Sequence, residues 1–289
     1  TAESIRVLDA VAERFEHDFT YVGGRVGGNA IDEFGTALPQ ETLNLVLGSD
    51  AVLFGAVGGP KWDNPEVDIR PEDGILRLRK NLGLFANIRP CKIYPQLIGT
   101  SPIKEDRLVG VDFVIIRELT GGLYFGKPKR KWENSRGRRA VDTLAYTEKE
   151  IERVVRVAFE LARTRKKILH SLDKMNVMET SRLWREITSE LSVEFHDVEV
   201  VHMLADNAAM QMITNPSVFD VIVTENTFGD ILSDESAVIG GSLGMIPSAS
   251  LASSPPTDGK KRRRGGKPAL YEPIHGSAPD IAGRGIANP

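Results

Sequence analysis

Cysteine is almost absent. Cys91 stands alone among 289 residues, which excludes an internal disulfide framework and fits a reducing compartment. Long apolar runs are missing too: none approaches the roughly 20 residues that span a bilayer, and no signal peptide is visible. Positive charge is not in excess, and a formal net charge of −3 argues against a general nucleic-acid binder. The histidines His17, His170, His196, His202 and His275 show no zinc spacing, and the chain has no nucleophile elbow, Walker loop or H-E-x-x-H. The glycine-rich stretch YVGGRVGG lacks the G-x-G-x-x-G spacing, so it reads as a short strand and a turn rather than a dinucleotide loop. No internal repeat is present. What remains, 41% hydrophobic and 27% charged, is an ordinary soluble globular composition. The length suits one large α/β domain or two smaller ones. The chain opens TAESIRVLDA, without a methionine, and stops at ANP with no closing element, so it reads as an internal fragment.

The most informative stretch is DVIVTENTFGDILSDE, residues 220–235. The run from Phe219 to Val223 is apolar and β-branched, which predicts a buried strand, and the Thr-Glu-Asn cluster after it suits a helix start. On that helix Asp230 and Asp234 share a face, one turn apart. Two like charges so placed suit a hard divalent cation, Mg²⁺ or Mn²⁺; two solvated surface aspartates would have the same spacing. Their position where a strand hands over to a helix is where open α/β sheets bind ligands.

Other segments repeat the pattern of a strand ending in chemistry. Residues 2–15 predict an amphipathic helix with Ile5, Leu8, Val11, Ala12 and Phe15 on one stripe. Ala51 to Val57 predicts a buried strand ending in GGPKWDNP, a close-approach loop or a tight turn. Residues 71–90 carry Arg77, Arg79 and Arg89 beside Ile75 and Leu76; arginine forks there would suit a dicarboxylate with an apolar side chain, or form the basic outer face of a helix. Arg117 and Glu118 end the apolar run at 111–118, and Tyr124 follows a Gly-Gly turn, as core packing or as a proton donor. Residues 127–139 read as an exposed arm or loop. A long amphipathic helix is expected over 148–166. A strand then leads to Asp173, Lys174 and Asn176, where a desolvated lysine could serve as a base. Asp206 opens the helix after the strand Val198–Leu204, a position at which an acid is also simply a good cap. The basic run Lys260 to Arg264, within a low-apolar insertion at 253–268, predicts a loop or disordered segment.

In their shared order, GAVGGPKWD (55–63), LRKNLGLFANIRP (78–90), RELTGGLYFG (117–126), DKMNV (173–177), ADNAAMQ (205–211), TENTFGDILSDE (224–235) and EPIHGSAPDIAGRGIANP (272–289) resemble the β-decarboxylating dehydrogenase family, the isocitrate/isopropylmalate dehydrogenases. The resemblance covers nearly the whole chain. It implies an α/β fold of two domains with a mixed, parallel-containing sheet and a non-Rossmann NAD site. The cofactor-side domain would be 1–84 with 242–289, incomplete at both termini, and the substrate-side, dimerising domain 85–241. Arg79, Arg89 and Arg117 would hold substrate carboxylates, while Glu72, Ile75 and Leu76 would face an isopropyl group. Tyr124 would be the proton donor. Asp230 and Asp234 would hold Mg²⁺ or Mn²⁺, with Asp206 as a further ligand and Lys174 as general base supplied by the neighbouring subunit of a homodimer. His275, Gly276, Ser277, Ala278, Asp280 and Asn288 would line the cofactor loop, with Asp280 selecting NAD by its affinity for ribose hydroxyls. The implied activity is NAD-dependent oxidative decarboxylation of 3-isopropylmalate in leucine biosynthesis, with D-malate, tartrate, isocitrate or homoisocitrate as the alternative substrates. The implied compartment is the cytoplasm, or a plastid in a photosynthetic eukaryote, with neither nucleic acid nor membrane as partner.

Overall fold

The computed structural model describes residues 1–63, 68–253 and 267–287. In chain order its helices are α1 (Ala2–Phe15), α2 (Gly28–Phe34), α3 (Gln40–Leu47), α4 (Pro71–Leu82), α5 (Glu105–Leu108), α6 (Glu148–Arg163), α7 (Glu179–Ser192), α8 (Ala205–Thr214) and α9 (Asn226–Ile239). Its strands are β1 (Ala51–Leu53), β2 (Ala86–Lys92), β3 (Asp112–Glu118), β4 (Arg130–Asn134), β5 (Gly137–Val141), β6 (Ile168–Asp173), β7 (Glu199–Leu204), β8 (Val221–Thr224), β9 (Pro247–Leu251) and β10 (Ala269–Pro273). The chain divides into two compact units, Thr1–Leu82 with Lys267–Pro289, and Gly83–Gly266. The stretch from 242 to 253, expected with the cofactor side, lies in the second unit because β9 pairs with β2. No helix of the described residues is long and apolar enough to cross a membrane.

The second unit is built on a mixed sheet ordered β9-β2-β3-β8-β6-β7. β3, β8, β6 and β7 run parallel, while β2 is antiparallel to both β3 and β9. Strands covered on both faces read as continuous apolar runs, as VDFVII and DVIV do. One face receives α6 and α7: Val114, Ile116, Leu169, Val221 and Val223 pack there with Val154, Phe159, Trp184 and Ile187. α6 starts cleanly because Thr147 and Glu150 form a reciprocal capping box. Along a strand alternate residues face opposite ways, so Arg89, Cys91 and Arg117 point to the other face, where they meet α9.

In the first unit, Ile75 and Leu78 of α4 are buried with Ala30, Ala37, Leu38 and Leu43. Gly27 sits at φ 73, and a Cβ on it would meet the Val57 side chain at 2.6 Å, so this turn requires glycine.

Two expectations of strands are revised. No strand forms at Tyr21–Val22: among the described residues no neighbouring backbone pairs with it, and Phe15, His17, Phe19 and Tyr21 stack on one another instead. The strand expected at 51–57 is only Ala51–Leu53 and is largely exposed, an edge strand whose described partner is β10. Helix α1 forms over 2–15, yet none of its residues is buried. The arm at 127–139 is an exposed hairpin, with β4 and β5 paired from Arg130↔Val141 to Asn134↔Gly137. The basic run at 260–264 lies outside the described residues.

Phe159 has no exposed surface and stacks on Phe195 with ring centroids 4.6 Å apart. Phe159→Ala is therefore expected to destabilise the second unit by about 3–5 kcal/mol, measured by urea denaturation. A loss below about 1 kcal/mol would place the α6–α7 core elsewhere.

Candidate active site

Two arginines on adjacent strands form the base of the site. In the β2–β3 register Asn87 lies opposite Arg117, and Arg89 opposite Ile115. Directly opposed residues share a face, so Asn87, Arg89 and Arg117 form a polar patch in an otherwise apolar surface. The side chains of Arg89 and Arg117 are only 7% and 4% exposed. Buried charge of that kind requires partners, and α9 supplies them at its own spacing. Arg117 Nη1 donates to Asp230 Oδ1, and Arg89 Nη1 donates to Asp234 Oδ1 at 3.3 Å and to Ser233 Oγ at 2.6 Å. One helical turn of aspartates thus matches two neighbouring strands of arginines.

The handover from β8 to α9 fixes this helix. Glu225 caps it by accepting from Phe228 N at 2.7 Å, and burial pushes the Glu225 carboxyl above the ordinary range. Close approach to the sheet depends on Gly229: a Cβ there would lie 2.7 Å from Arg117 Cγ. The turn after β3 is held by Glu118, which is fully buried and accepts from the backbone N–H groups of Thr120 and Gly121 and from the Thr120 hydroxyl. That turn delivers Tyr124, whose hydroxyl donates to Asp230 Oδ2 at 2.8 Å. Burial, reinforced by the Asp230 carboxylate, pushes the Tyr124 phenol up to about 12, so it keeps its proton at neutral pH.

A second cluster lies at the ends of β6 and β7. Lys174 Nζ donates to Asp206 Oδ1 at 2.6 Å, and this contact lowers the Asp206 carboxyl below its usual range. Behind it Asp173 is buried and gripped by Arg185. Asn176 is exposed. The structure thus joins Arg89, Arg117, Tyr124, Asp230 and Asp234 in one cluster and Lys174 with Asp206 in another. Among the described residues of a single chain, no three His, Cys, Asp or Glu side chains converge as a metal site.

The remaining candidates belong to the first unit. Arg79 donates to Glu272 at 2.7 Å, and both side chains are largely buried. On the same helix Ile75 is buried, Leu76 half-buried and Glu72 exposed. His275, Gly276, Ser277, Ala278 and Asp280 are all exposed, Ala278 in the left-handed region at φ 43. Asn288 lies outside the described residues. Sequence reasoning missed Asn87, Asn226, Ser233, Gly229 and Glu272. The polar pair Asn87 and Arg89 at period two within a strand was a readable signal for the first of these.

A divalent cation fits the chemistry of the first cluster. Two arginines against two aspartates leave no net charge, so a dicarboxylate would meet little attraction there unless a doubly charged ion were added. The two carboxylates, one turn apart and partly open to solvent, are hard oxygen donors of the type Mg²⁺ and Mn²⁺ take.

The chain matches the isocitrate/isopropylmalate dehydrogenase family over residues 1–289. It belongs to that family. It is 57% identical over 289 residues to a 3-isopropylmalate dehydrogenase of Geobacillus kaustophilus, covering all of this chain and 75% of that protein. A 3-isopropylmalate dehydrogenase of Dehalococcoides mccartyi is 54% identical, with 78% of it covered. Among solved structures, an isocitrate dehydrogenase from Methylococcus capsulatus superposes with a TM-score of 0.78 at 32% identity, over 96% of this chain and 75% of that one. A β-decarboxylating dehydrogenase from Thermococcus kodakarensis gives 0.70 at 36% identity, over 98% and 73%. The chain thus spans about three quarters of its relatives' length, with the mixed α/β architecture of this family.

Gly229→Ala is expected to cost about 1–3 kcal/mol by overpacking against the Arg117 stem and to weaken binding of a dicarboxylate. Thermal melting in the presence of Mg²⁺, with and without D-malate, reads both. Unchanged melting and binding would contradict the close seat of α9 on β3.

Proposed function

We infer that this chain is an NAD-dependent 3-isopropylmalate dehydrogenase, which converts 3-isopropylmalate to 2-oxoisocaproate and CO₂ in leucine biosynthesis. The observation that carries the reading is the matched pair Arg117–Asp230 and Arg89–Asp234, with Tyr124 on Asp230, in a chain more than half identical to enzymes of that name.

Arg79, Arg89 and Arg117 would bind the substrate carboxylates through their guanidinium forks. Asp230 and Asp234 would hold Mg²⁺ or Mn²⁺, and Asp206 would complete the set. Because Asp206 is tied to Lys174 rather than grouped with the other aspartates, a second copy is the natural source of both residues. Exposed apolar side chains on α8 (Met210, Ile213) and α9 (Ile231, Val238) support such a homodimer. The exposed loop from His275 to Asn288 would bind NAD, with Asp280 toward the adenosine ribose. Glu72, Ile75 and Leu76 would face the isopropyl group, since an apolar wall disfavours a substrate with a carboxylate or hydroxyl there. The cytoplasm is the proposed compartment.

When bound, NAD supplies the hydride acceptor and the cation supplies positive charge beside the substrate hydroxyl and its neighbouring carboxylate. The chain's own residues manage the protons. Lys174 takes the hydroxyl proton as the C–H bond is oxidised. The resulting ketone lies β to a second carboxylate, which leaves as CO₂, and its electron pair forms an enolate. Tyr124, protonated at working pH, donates its proton to carbon.

With Mg²⁺ and NAD, the full-length protein is expected to favour 3-isopropylmalate over D-malate by at least about tenfold in kcat/KM, followed as NADH absorbance. EDTA should abolish turnover and Mn²⁺ restore it. Lys174→Ala and Asp230→Asn should each lower kcat by about a hundredfold or more in folded protein. A preference for D-malate would overturn the substrate assignment, and undiminished activity in both variants would overturn the mechanism.

A further inference from the structure

Each arginine of the central cluster is gripped from behind by a buried asparagine. Arg89 Nε donates to Asn87 Oδ1 at 2.8 Å, and Arg117 Nε donates to Asn226 Oδ1 at 2.9 Å. Asn87 is 0% exposed and Asn226 1%. Their amide ends are anchored in turn. Asn87 Nδ2 donates to Ser248 Oγ at 2.8 Å and to Ser250 Oγ at 3.1 Å, both on β9, and Asn226 Nδ2 donates to the Gly121 carbonyl at 3.1 Å. The amide orientations are dictated by these partners, because an arginine Nε only donates and a carbonyl oxygen only accepts. The two asparagines come from different elements, β2 and the first residue of α9, yet make the same contact. Arg79 has no such support: its Nε is buried without a hydrogen-bond partner among the described residues, and its guanidinium pairs with Glu272.

We propose that Asn87 and Asn226 are positioning residues that set the specificity of the site for a dicarboxylate. Each fixes the plane of a guanidinium through Nε without adding a further negative charge to a cluster in which Arg89 and Arg117 already face Asp234 and Asp230. A carboxylate in the same place would orient the fork equally well but would tip the balanced cluster toward net negative charge and repel a dicarboxylate. A neutral acceptor is the side chain that satisfies both demands in a buried setting. The Nε edge of each arginine is thereby committed to the protein, and the guanidinium cannot swing about its stem between alternative partners. This inference rests on the functional reading above.

The decisive variant is Asn87→Asp. The hydroxyls of Ser248 and Ser250 can rotate to donate to the new carboxylate, so the fold has partners ready for it. Asn226→Ala removes the second acceptor, and the double variant Ser248→Ala/Ser250→Ala loosens Asn87 without touching either arginine. In steady-state assays of the full-length enzyme with Mg²⁺, Asn87→Asp and Asn226→Ala are each expected to raise the KM for 3-isopropylmalate by about ten- to a hundredfold. The KM for NAD should stay within about threefold and kcat should change much less than KM. The serine double variant should show a smaller rise in the same parameter alone. Wild-type turnover with substrate KM unchanged in Asn87→Asp and in the serine double variant would overturn the inference and leave the functional reading intact. A parallel loss of substrate affinity, NAD affinity and melting temperature would also overturn it, since that is what a purely structural role produces. Absence of wild-type turnover would overturn both.

Discussion

Two guanidinium–carboxylate pairs, formed where helix α9 lies over the β2–β3 strands, set the constraints on the second unit. Burying Arg89 and Arg117 is unfavourable unless each finds a counter-charge and further hydrogen-bond partners. Helix α9 can provide these only if it starts where β8 ends, lies close enough for Gly229 to touch the Arg117 stem, and presents acids one turn apart. The buried cap Glu225, the turn held by Glu118 and the serines of β9 all serve that arrangement. The same features align the groups for chemistry: a proton on Tyr124 and hard oxygen donors beside two fixed cations.

The candidate residues fall into two separate clusters. Arginines, tyrosine and two aspartates form one cluster, while Lys174 and Asp206 form a separate pair at the ends of two other strands. Each cluster is internally neutralised, which for Arg89 and Arg117 is what burial of their charge requires. Under the proposed function, a second copy would bring the lysine–aspartate pair to the arginine cluster and so assemble a base, an acid and a cation site. The apolar residues left exposed on α8 and α9 agree with that arrangement.

Much of this was legible in the sequence, for identifiable reasons. The strand–helix handovers at 173, 205 and 225 were readable because apolar runs stop abruptly at polar clusters, and the Asp230/Asp234 spacing is set by helix geometry alone. The tyrosine after the Gly-Gly turn could be read as a donor, but its partner, Asp230, is 106 residues away and no local pattern reports it. Asn87 and Asn226 were missed for the same reason: their value comes from cross-strand and helix–sheet contacts. The expected strand at 21–22 failed because strand propensity has meaning only beside a pairing neighbour; the expected strand at 51–57 is cut short just after Phe54, whose N–H still donates to the Tyr271 carbonyl. The hairpin at 130–141 was hidden by its basic, polar composition, since it has no apolar face to give it away.

The antiparallel pairing of β2 with β3 runs through seven consecutive residue pairs, from Ala86↔Glu118 to Lys92↔Asp112. Side chains alternate with a period of two, so sliding one strand by a single residue would send its polar set into the apolar layer under α6. No small adjustment of the two strands can therefore separate Arg89 from Arg117 gradually. Their spacing is inherited from backbone hydrogen bonds at the centre of the sheet, among the last parts of a protein to open. The spacing of Arg89 and Arg117 should consequently be lost only with cooperative melting of the sheet, whereas changes in what the site accepts have to come from loops and side chains that the sheet does not lock.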